Sequence, residues 1–262
     1  MIVMTLNCRG LASTPKKLAI RRLIEDQFLD VIFVQETMCD GSLLVNALEI
    51  MLKDWKFVYV DAKGRSRGLF LGWRYRHLHL LNAWACCSGL CVSLFSIELK
   101  IKFYFLNLYG PYLDREVYWS HLVSLDCFKS YALIMGGDLN FSMGYSKIWG
   151  TKARVDPLSD FFNRQLDGLG LVDIALAVFL PTWSNQRIGI ENISKRLDRL
   201  LISADLLDCD FHFKQWVGCG GVSDHQPIFL QVANNDTRPR SPFKFNATWL
   251  ENDALVSLLK AS

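Results

Sequence analysis

The chain predicts an α/β fold whose strands are covered on both faces, and three observations carry that expectation. First, 51% of its 262 residues are hydrophobic and mean hydropathy is +0.16, material for one large domain or two small ones with a sizeable core. Second, short apolar runs such as 31–34 and 131–135 are almost unbroken, as in strands with no solvent face. Third, stripes with three- and four-residue spacing lie between those runs and mark amphipathic helices.

Residues 2–6 form the first strand, which ends at Asn7-Cys8-Arg9-Gly10. Thr14-Pro15 opens a helix, with threonine as cap and proline in the first turn; Ile20, Leu23, Ile24 and Phe28 are its inner stripe. A short strand at 31–34 ends at Gln35-Glu36-Thr37. A helix covers about 42–53, and strands at 57–60 and 69–73 flank a basic turn at 63–67. The stretch 90–99 is largely apolar. Ile101, Phe103 and Phe105 then alternate with Lys100, Lys102 and Tyr104, the period of a strand, ending at Asn107-Leu108-Tyr109-Gly110-Pro111. Asp114 opens a helix with Tyr118, Leu122 and Leu125 on one face, and the strand 131–135 follows. Asp156-Pro157 starts a helix that turns Leu158, Phe161, Phe162, Leu166 and Leu169 inward. Short strands at 181–183, 196–202, 211–216 and 228–232 complete the domain. The polar stretch 233–242 reads as a linker, so the expected division is a domain over 1–232 and a linker with the start of a following region over 233–262.

Composition narrows the classes. The net charge of +3 is too small to identify a nucleic-acid partner by itself. The eight cysteines include no CxxC pair and sit mostly in apolar runs, which speaks for reduced core cysteines and against zinc or a disulfide framework. No basic-apolar leader opens the sequence, and no run reaches the ~20 apolar residues of a spanning helix. The expectation is a soluble intracellular protein that does not engage membrane. His77, His79, His121 and His212 have no acid or cysteine at ligand spacing and are expected to be structural.

The chemistry lies where apolar runs end. Ile134-Met135-Gly136-Gly137-Asp138-Leu139-Asn140 delivers an acid and an amide to a sheet rim, with glycines that allow a close approach. Polar groups also follow the other runs: Asn7, Gln35-Glu36, Asn107 and Tyr109, Thr182-Trp183, Asp198, and Asp224-His225. Singly these are ordinary turn residues. Together they contain what phosphodiester hydrolysis requires: a divalent cation, an activated water and donors to the non-bridging oxygens. Glu36, with Asp224 and Asn7, is a hard oxygen set suited to Mg2+ or Mn2+. Asp138 fits the base, with Asn140 orienting the water or a phosphate oxygen. His225 fits a donor to the phosphate, Asp198 the group that holds its ring, and Tyr109 a phenolic donor.

These motifs, in this order over roughly residues 1–232, resemble those of the endonuclease/exonuclease/phosphatase superfamily, whose members have the DNase I-like fold. The subset Leu6-Asn7-Cys8-Arg9-Gly10, Gln35-Glu36-Thr37, Asn107-Leu108-Tyr109-Gly110-Pro111, Pro181-Thr182-Trp183 and the tail from Pro242 to Leu250 is most similar to the endonuclease domain of plant LINE-type non-LTR retrotransposons. The resemblance implies a four-layer α-β-β-α sandwich: two packed mixed sheets with outer helices and the site at one rim. It implies Glu36 as principal metal ligand with Asn7 and Asp224 close by, and Asp138 as the group that activates water. Asn140, Tyr109 and His225 would engage the phosphate, with Asp198 supporting His225. The implied reaction is a DNA nick leaving a 3′-hydroxyl that primes reverse transcription, with a reverse transcriptase in cis in a longer parent chain and a nuclear setting where chromosomal DNA is the target. Ser66-Arg67-Gly68 departs from the Gly-Gly pair usual in plant relatives.

The loop 184–195 corresponds to a hairpin that enters the minor groove in related nucleases. Arg187 and Lys195 there are expected at phosphates, and Thr182 and Trp183 against substrate. Lys63, Arg65 and Arg67 read as a solvated turn. The same core would serve an abasic-site endonuclease or a phosphatase, and a non-catalytic remnant would carry the same motifs.

Overall fold

The computed structural model describes residues 1–62, 68–86, 89–129, 132–219, 221 and 223–235. The basic turn 63–67, Cys87, Tyr131 and the tail from residue 236 lie outside them. In chain order the elements begin β1 (Ile2–Asn7), α1 (Thr14–Asp26), β2 (Val31–Gln35), α2 (Gly41–Met51), β3 (Trp55–Val60), β4 (Leu69–Arg74), β5 (Leu78–Cys86) and β6 (Gly89–Ser96). There follow β7 (Lys102–Tyr109), α3 (Arg115–Leu122), β8 (Leu133–Asp138), β9 (Ile148–Trp149), α4 (Ser159–Gly168) and β10 (Leu171–Asp173). The last are β11 (Trp183–Ser184), β12 (Ser194–Lys195), β13 (Asp198–Ser203), β14 (Phe211–Val217) and β15 (Ile228–Asn234).

Two six-stranded sheets form, in the orders β14-β15-β1-β2-β4-β3 and β10-β13-β8-β7-β6-β5. Both mix parallel and antiparallel neighbours: β1 with β2 and β7 with β8 are parallel pairs. Alternation along each strand builds the layers, because successive side chains point to opposite faces. Val3, Phe33, Phe105 and Ile134 enter the core between the sheets. Their neighbours Met4 and Ile32 pack outward with Ile20 and Ile24 of α1 and Leu44 and Leu48 of α2. Leu106 and Met135 pack outward with Trp119 and Leu122 of α3 and Phe162 and Leu166 of α4. Three apolar clusters thus separate four layers, the α-β-β-α sandwich expected from the motifs.

A polar clip joins the sheets beneath the site rim. Gln35 Nε2 donates to Asn107 Oδ1 at 2.6 Å, and Asn107 Nδ2 donates to the carbonyls of Phe70 at 2.9 Å and Val34 at 3.2 Å. Gly137 explains its own presence. It has φ +145°, and a Cβ there would lie 1.8 Å from the Leu108 carbonyl oxygen. The close approach it allows is that of β7's backbone.

Several local expectations change. α1 begins at Thr14 with Ser13 at the cap position, so Thr14 is not the cap. Phe28 has φ +51° just past the helix end and is 75% exposed, outside the stripe. On α3 the buried ring is Trp119. α4 begins at Ser159 because Asp156 is engaged: its Oδ1 accepts the Leu158 N–H at 3.0 Å and both its oxygens meet Arg115. His77 does find an acid, Asp30, at 2.8 Å across 47 residues of sequence. β5 was not evident from the sequence: it is an edge strand with a register shift between Leu80 and Asn82, and its side chains are largely exposed. β15 runs to Asn234, two residues past the expected boundary. No helix is long and apolar enough to cross a membrane among the described residues.

Candidate active site

Strand ends converge on one rim because the register brings them there. β1 and β2 end side by side at Asn7 and Gln35. Glu36 follows in a left-handed conformation at φ +52°. β7 and β8 end together, with Tyr109 opposite Asp138, and antiparallel β13 begins where β8 ends, with Asp198 opposite Asp138. His225 precedes β15 and is bridged to Trp183. Asn7, Glu36, Asp138, Asp198 and His225 are all essentially buried.

Asn7 clamps two carboxylates. Its Nδ2 donates to Glu36 Oε1 at 2.9 Å and to Asp138 Oδ2 at 2.8 Å. Its Oδ1 turns away and accepts the Arg9 N–H at 3.1 Å. An amide nitrogen between carboxylates is a donor, so Asn7 holds the acids in place and offers no oxygen to a cation in this arrangement. Asn7 was expected beside the metal, and it stands against both acids.

His225 spans the two aspartates. Its Nδ1 lies 2.8 Å from Asp198 Oδ2 and 3.1 Å from Oδ1, while Nε2 stands 3.7 Å from Asp138 Oδ2 and makes no hydrogen bond. Burial lowers the ring's basicity, but the Asp198 charge and hydrogen bond outweigh it and raise the pKa to about 9. The ring is therefore an imidazolium at neutral pH, with Nε2–H free to donate. Burial and the Asp198 charge push Asp138 up to about 7, against the smaller opposing effects of His225 and Asn7. A carboxylate of that basicity suits proton abstraction near neutral pH.

Asn140 is held at φ +53° with its N–H on Asp138 Oδ1 at 3.1 Å and its Nδ2 on the Gly110 carbonyl at 2.7 Å. The carbonyl requires the amide nitrogen, which leaves the side-chain oxygen buried and without a hydrogen bond. It can accept from a water rather than donate to a phosphate. Burial, and then the Glu36 charge, raise the Tyr109 phenol, which keeps it a donor.

The remaining expected residues divide. Asp224 Oδ2 accepts Trp183 Nε1 at 2.9 Å and faces Arg9 Nη1 at 3.1 Å, and Oδ1 accepts the Ser223 hydroxyl at 3.2 Å. As placed, its oxygens serve these partners. Thr182 is fully buried; its Oγ1 accepts the N–H groups of Leu197 and Asp198, both at 3.0 Å. These bonds tie Thr182 to the start of β13 and help position Asp198. Lys195 lines a cleft of about 400 Å³ beside Asn140, together with Trp183, Tyr112, Arg115 and Arg154. Arg187 sits on the exposed part of the hairpin between β11 and β12.

Three groups of residues escaped the sequence reading. Arg9 reaches Asp224. Tyr112, more than half exposed, lines the cleft beside Asn140. Behind β13, Asp173 meets the buried Arg196 and Arg199 at 2.6 Å each. No spacing signals these contacts, since each joins segments far apart in the chain.

Asp138, Asp198 and His225 bring ligand atoms within 4.8 Å of one another, so this buried cluster could hold a metal. Both Asp198 oxygens face His225 Nδ1, whereas Asp138 accepts from Asn7 Nδ2 at Oδ2 and from the Asn140 N–H at Oδ1. With Glu36, clamped beside it by Asn7, it supplies oxygen donors fitting a hard divalent cation. The local concentration of buried carboxylate charge favours such an ion.

No curated protein sequence matches the chain. Solved structures share its architecture. The endonuclease domain of TRAS1, a telomere-specific non-LTR retrotransposon, is 18% identical with TM-score 0.63, over 88% of this chain and 97% of that one. The AP endonuclease LMAP from Leishmania major is 17% identical with TM-score 0.67, over 87% and 86%. TDP2 from D. rerio, complexed with a single-strand DNA product, is 14% identical with TM-score 0.62, over 89% and 99%. At these identities the likeness establishes the fold. The sequence pattern of the endonuclease/exonuclease/phosphatase family matches residues 4–225. With the acids, amides and histidine of a phosphoester hydrolase gathered at its rim, the chain belongs to the endonuclease/exonuclease/phosphatase family.

Proposed function

We propose that the chain is a divalent-metal-dependent endonuclease that nicks DNA and leaves a 3′-hydroxyl, of the kind carried by LINE-type non-LTR retrotransposons of plants. The observation that carries this reading is the line Asp198–His225–Asp138, at 2.8 and 3.7 Å, with the unpartnered Nε2 turned toward Asp138. It supports hydrolysis in which a water oriented by Asn140 Oδ1 attacks phosphorus and gives its proton to Asp138 Oδ2, while the P–O3′ bond breaks and the leaving 3′-oxygen takes a proton from solvent. His225 Nε2–H and the Tyr109 hydroxyl donate to non-bridging phosphate oxygens as charge develops. Glu36, with the acids beside it, would hold Mg2+ or Mn2+, which would polarise the phosphate and offset its charge.

DNA as substrate draws support from the likeness to TDP2, solved with a single-strand DNA product, and the near-complete span of the TRAS1 endonuclease domain favours the retrotransposon class. In this reading 1–232 is the catalytic domain. Residues 233–262 lead toward a further region, a reverse transcriptase in a longer parent chain, and the site of action is the nucleus. Trp183, Lys195 and Arg187 line the approach of the DNA.

The test is nicking of supercoiled plasmid with Mg2+ and with a chelator, beside Asp138→Asn and His225→Ala. Metal-dependent open circles, lost in both variants, support the proposal; a folded chain that never nicks sinks it. Abasic-site cleavage is the second reading, favoured by the cleft beside Asn140 and by the LMAP similarity. A duplex with one abasic site, cut far faster than intact plasmid, would select it.

A further inference from the structure

We infer that Arg9 is a substrate-binding residue, held by Asp224 at the mouth of the site so that its guanidinium takes a non-bridging phosphate oxygen of the bound strand. The inference rests on the nuclease reading above and deepens it.

A phosphodiester approaching this rim meets the buried acids Glu36, Asp138 and Asp198. Like charge opposes that approach, so a fixed cation at the entrance assists it. Arg9 stands there. Its Nη1 lies 3.1 Å from Asp224 Oδ2, yet its side chain is still 41% exposed. Asp224 engages one nitrogen of a five-donor fork, which leaves donors for a second anion.

The backbone beneath it is fixed to the catalytic groups. Arg9 is left-handed at φ +43°. Its N–H donates to Asn7 Oδ1 at 3.1 Å, and Lys16 Nζ holds its carbonyl at 2.8 Å and that of Cys8 at 2.7 Å. Gly10 N–H donates to the Glu36 carbonyl at 2.7 Å. Asn7 and Glu36 therefore set the position of Arg9 relative to Asp138, which is the preorganisation a binding group needs. Asp224 in turn is anchored by Trp183 and Ser223. A part-exposed ion pair is a weak bond, whereas a two-pronged arginine–phosphate contact is a strong one. Arg9 can thus turn to a phosphate without the turn coming apart. The competing role is a clip that only ties β1's end to the 223–225 turn.

Equilibrium binding separates the two. Fluorescence anisotropy with a labelled duplex, in chelator to prevent cutting, is run across a KCl series beside plasmid nicking and a melting scan. Arg9→Gln is expected to weaken binding roughly 5- to 100-fold and to lower the slope of log K against log salt by about one. Arg9→Lys keeps the slope and loses several-fold in affinity. Arg76→Gln, at the opposite end of β4, changes neither. A folded Arg9→Gln with unchanged slope, whatever its melting temperature, overturns the role of Arg9 alone. If Arg9→Gln does not fold, Arg9→Lys with unaltered affinity overturns it instead. An unmodified chain that neither binds nor nicks DNA removes the nuclease reading and this inference with it.

Discussion

Asp198→Asn should move the pH window of catalysis toward acid, not merely lower its height. Asp198 meets His225 Nδ1 at 2.8 Å and is the main influence holding the imidazolium at about 9 against burial. It also helps raise Asp138 to about 7. The unmodified enzyme needs Asp138 ionised and His225 protonated, so its rate rises as Asp138 loses its proton and falls as His225 does. The plateau lies between those two ionisations, and a bound cation draws the acid limb lower. With asparagine, burial acts on His225 unopposed by its closest acid, and the ring is largely neutral at pH 7.5. Losing one charged donor to the phosphate costs roughly 10²–10³ in kcat. Asp138, relieved of a neighbouring charge, ionises at lower pH. Both limbs therefore shift the same way, and part of the lost rate returns as the pH falls below about 6.5, the ordinary histidine value. The assay is kcat for plasmid nicking from pH 5.5 to 9.5 at saturating Mg2+, with a melting scan to confirm folding. Limbs that stay at the unmodified positions while the amplitude drops would refute the electrostatic coupling.

Other outcomes follow from single contacts. Asp156→Asn should lower Tm by roughly 3–10 °C at pH 7, since it breaks a two-pronged, largely buried pair with Arg115 at 2.6 and 2.8 Å worth about 1.5–3 kcal/mol. Burial opposes ionisation of Asp156, but Arg115 outweighs it and depresses the pKa, so the gap between variant and parent should close as pH falls through the carboxylate range; a gap still open at pH 2.5 would count against this account. Gly137→Ala places a methyl 1.8 Å from the Leu108 carbonyl oxygen at a φ of +145°. It should cost more than about 3 kcal/mol and leave little folded protein by circular dichroism; a folded variant with near-parental Tm would show that β7 and β8 can separate. Mg2+ at about 100 times its Kd should stabilise the chain by roughly 2.7 kcal/mol, read as a rise in Tm that Glu36→Gln abolishes. Equal rises in both proteins would place the ion elsewhere.

Much of the architecture is legible without coordinates because alternation is local. The run 2–6 already sends Val3 one way and Met4 the other, and its end at Asn7 can be read from the loss of apolar residues. The order of the motifs identifies the acids, the histidine and the amides in the same manner. β5 was hidden because an exposed edge strand has no buried face to impose a pattern. The sequence also leaves open what each polar group faces. Asn7 and Thr182 carry oxygens that suit a ligand and a substrate contact. Packing turns the first oxygen to a backbone N–H and the second behind Asp198.

The sequence by itself determined the layers, the family and which residue types stand at the rim, since these depend on periodicity and on motif order. Tertiary structure alone decided that Asp198 lies opposite Asp138, that one amide clamps Glu36 to Asp138, and that Arg9 pairs with Asp224. These relations are set by strand register and by how two sheets meet. A one-residue slip would turn every one of those side chains to the other face, and no local pattern along the chain records which distant strand end will arrive beside it.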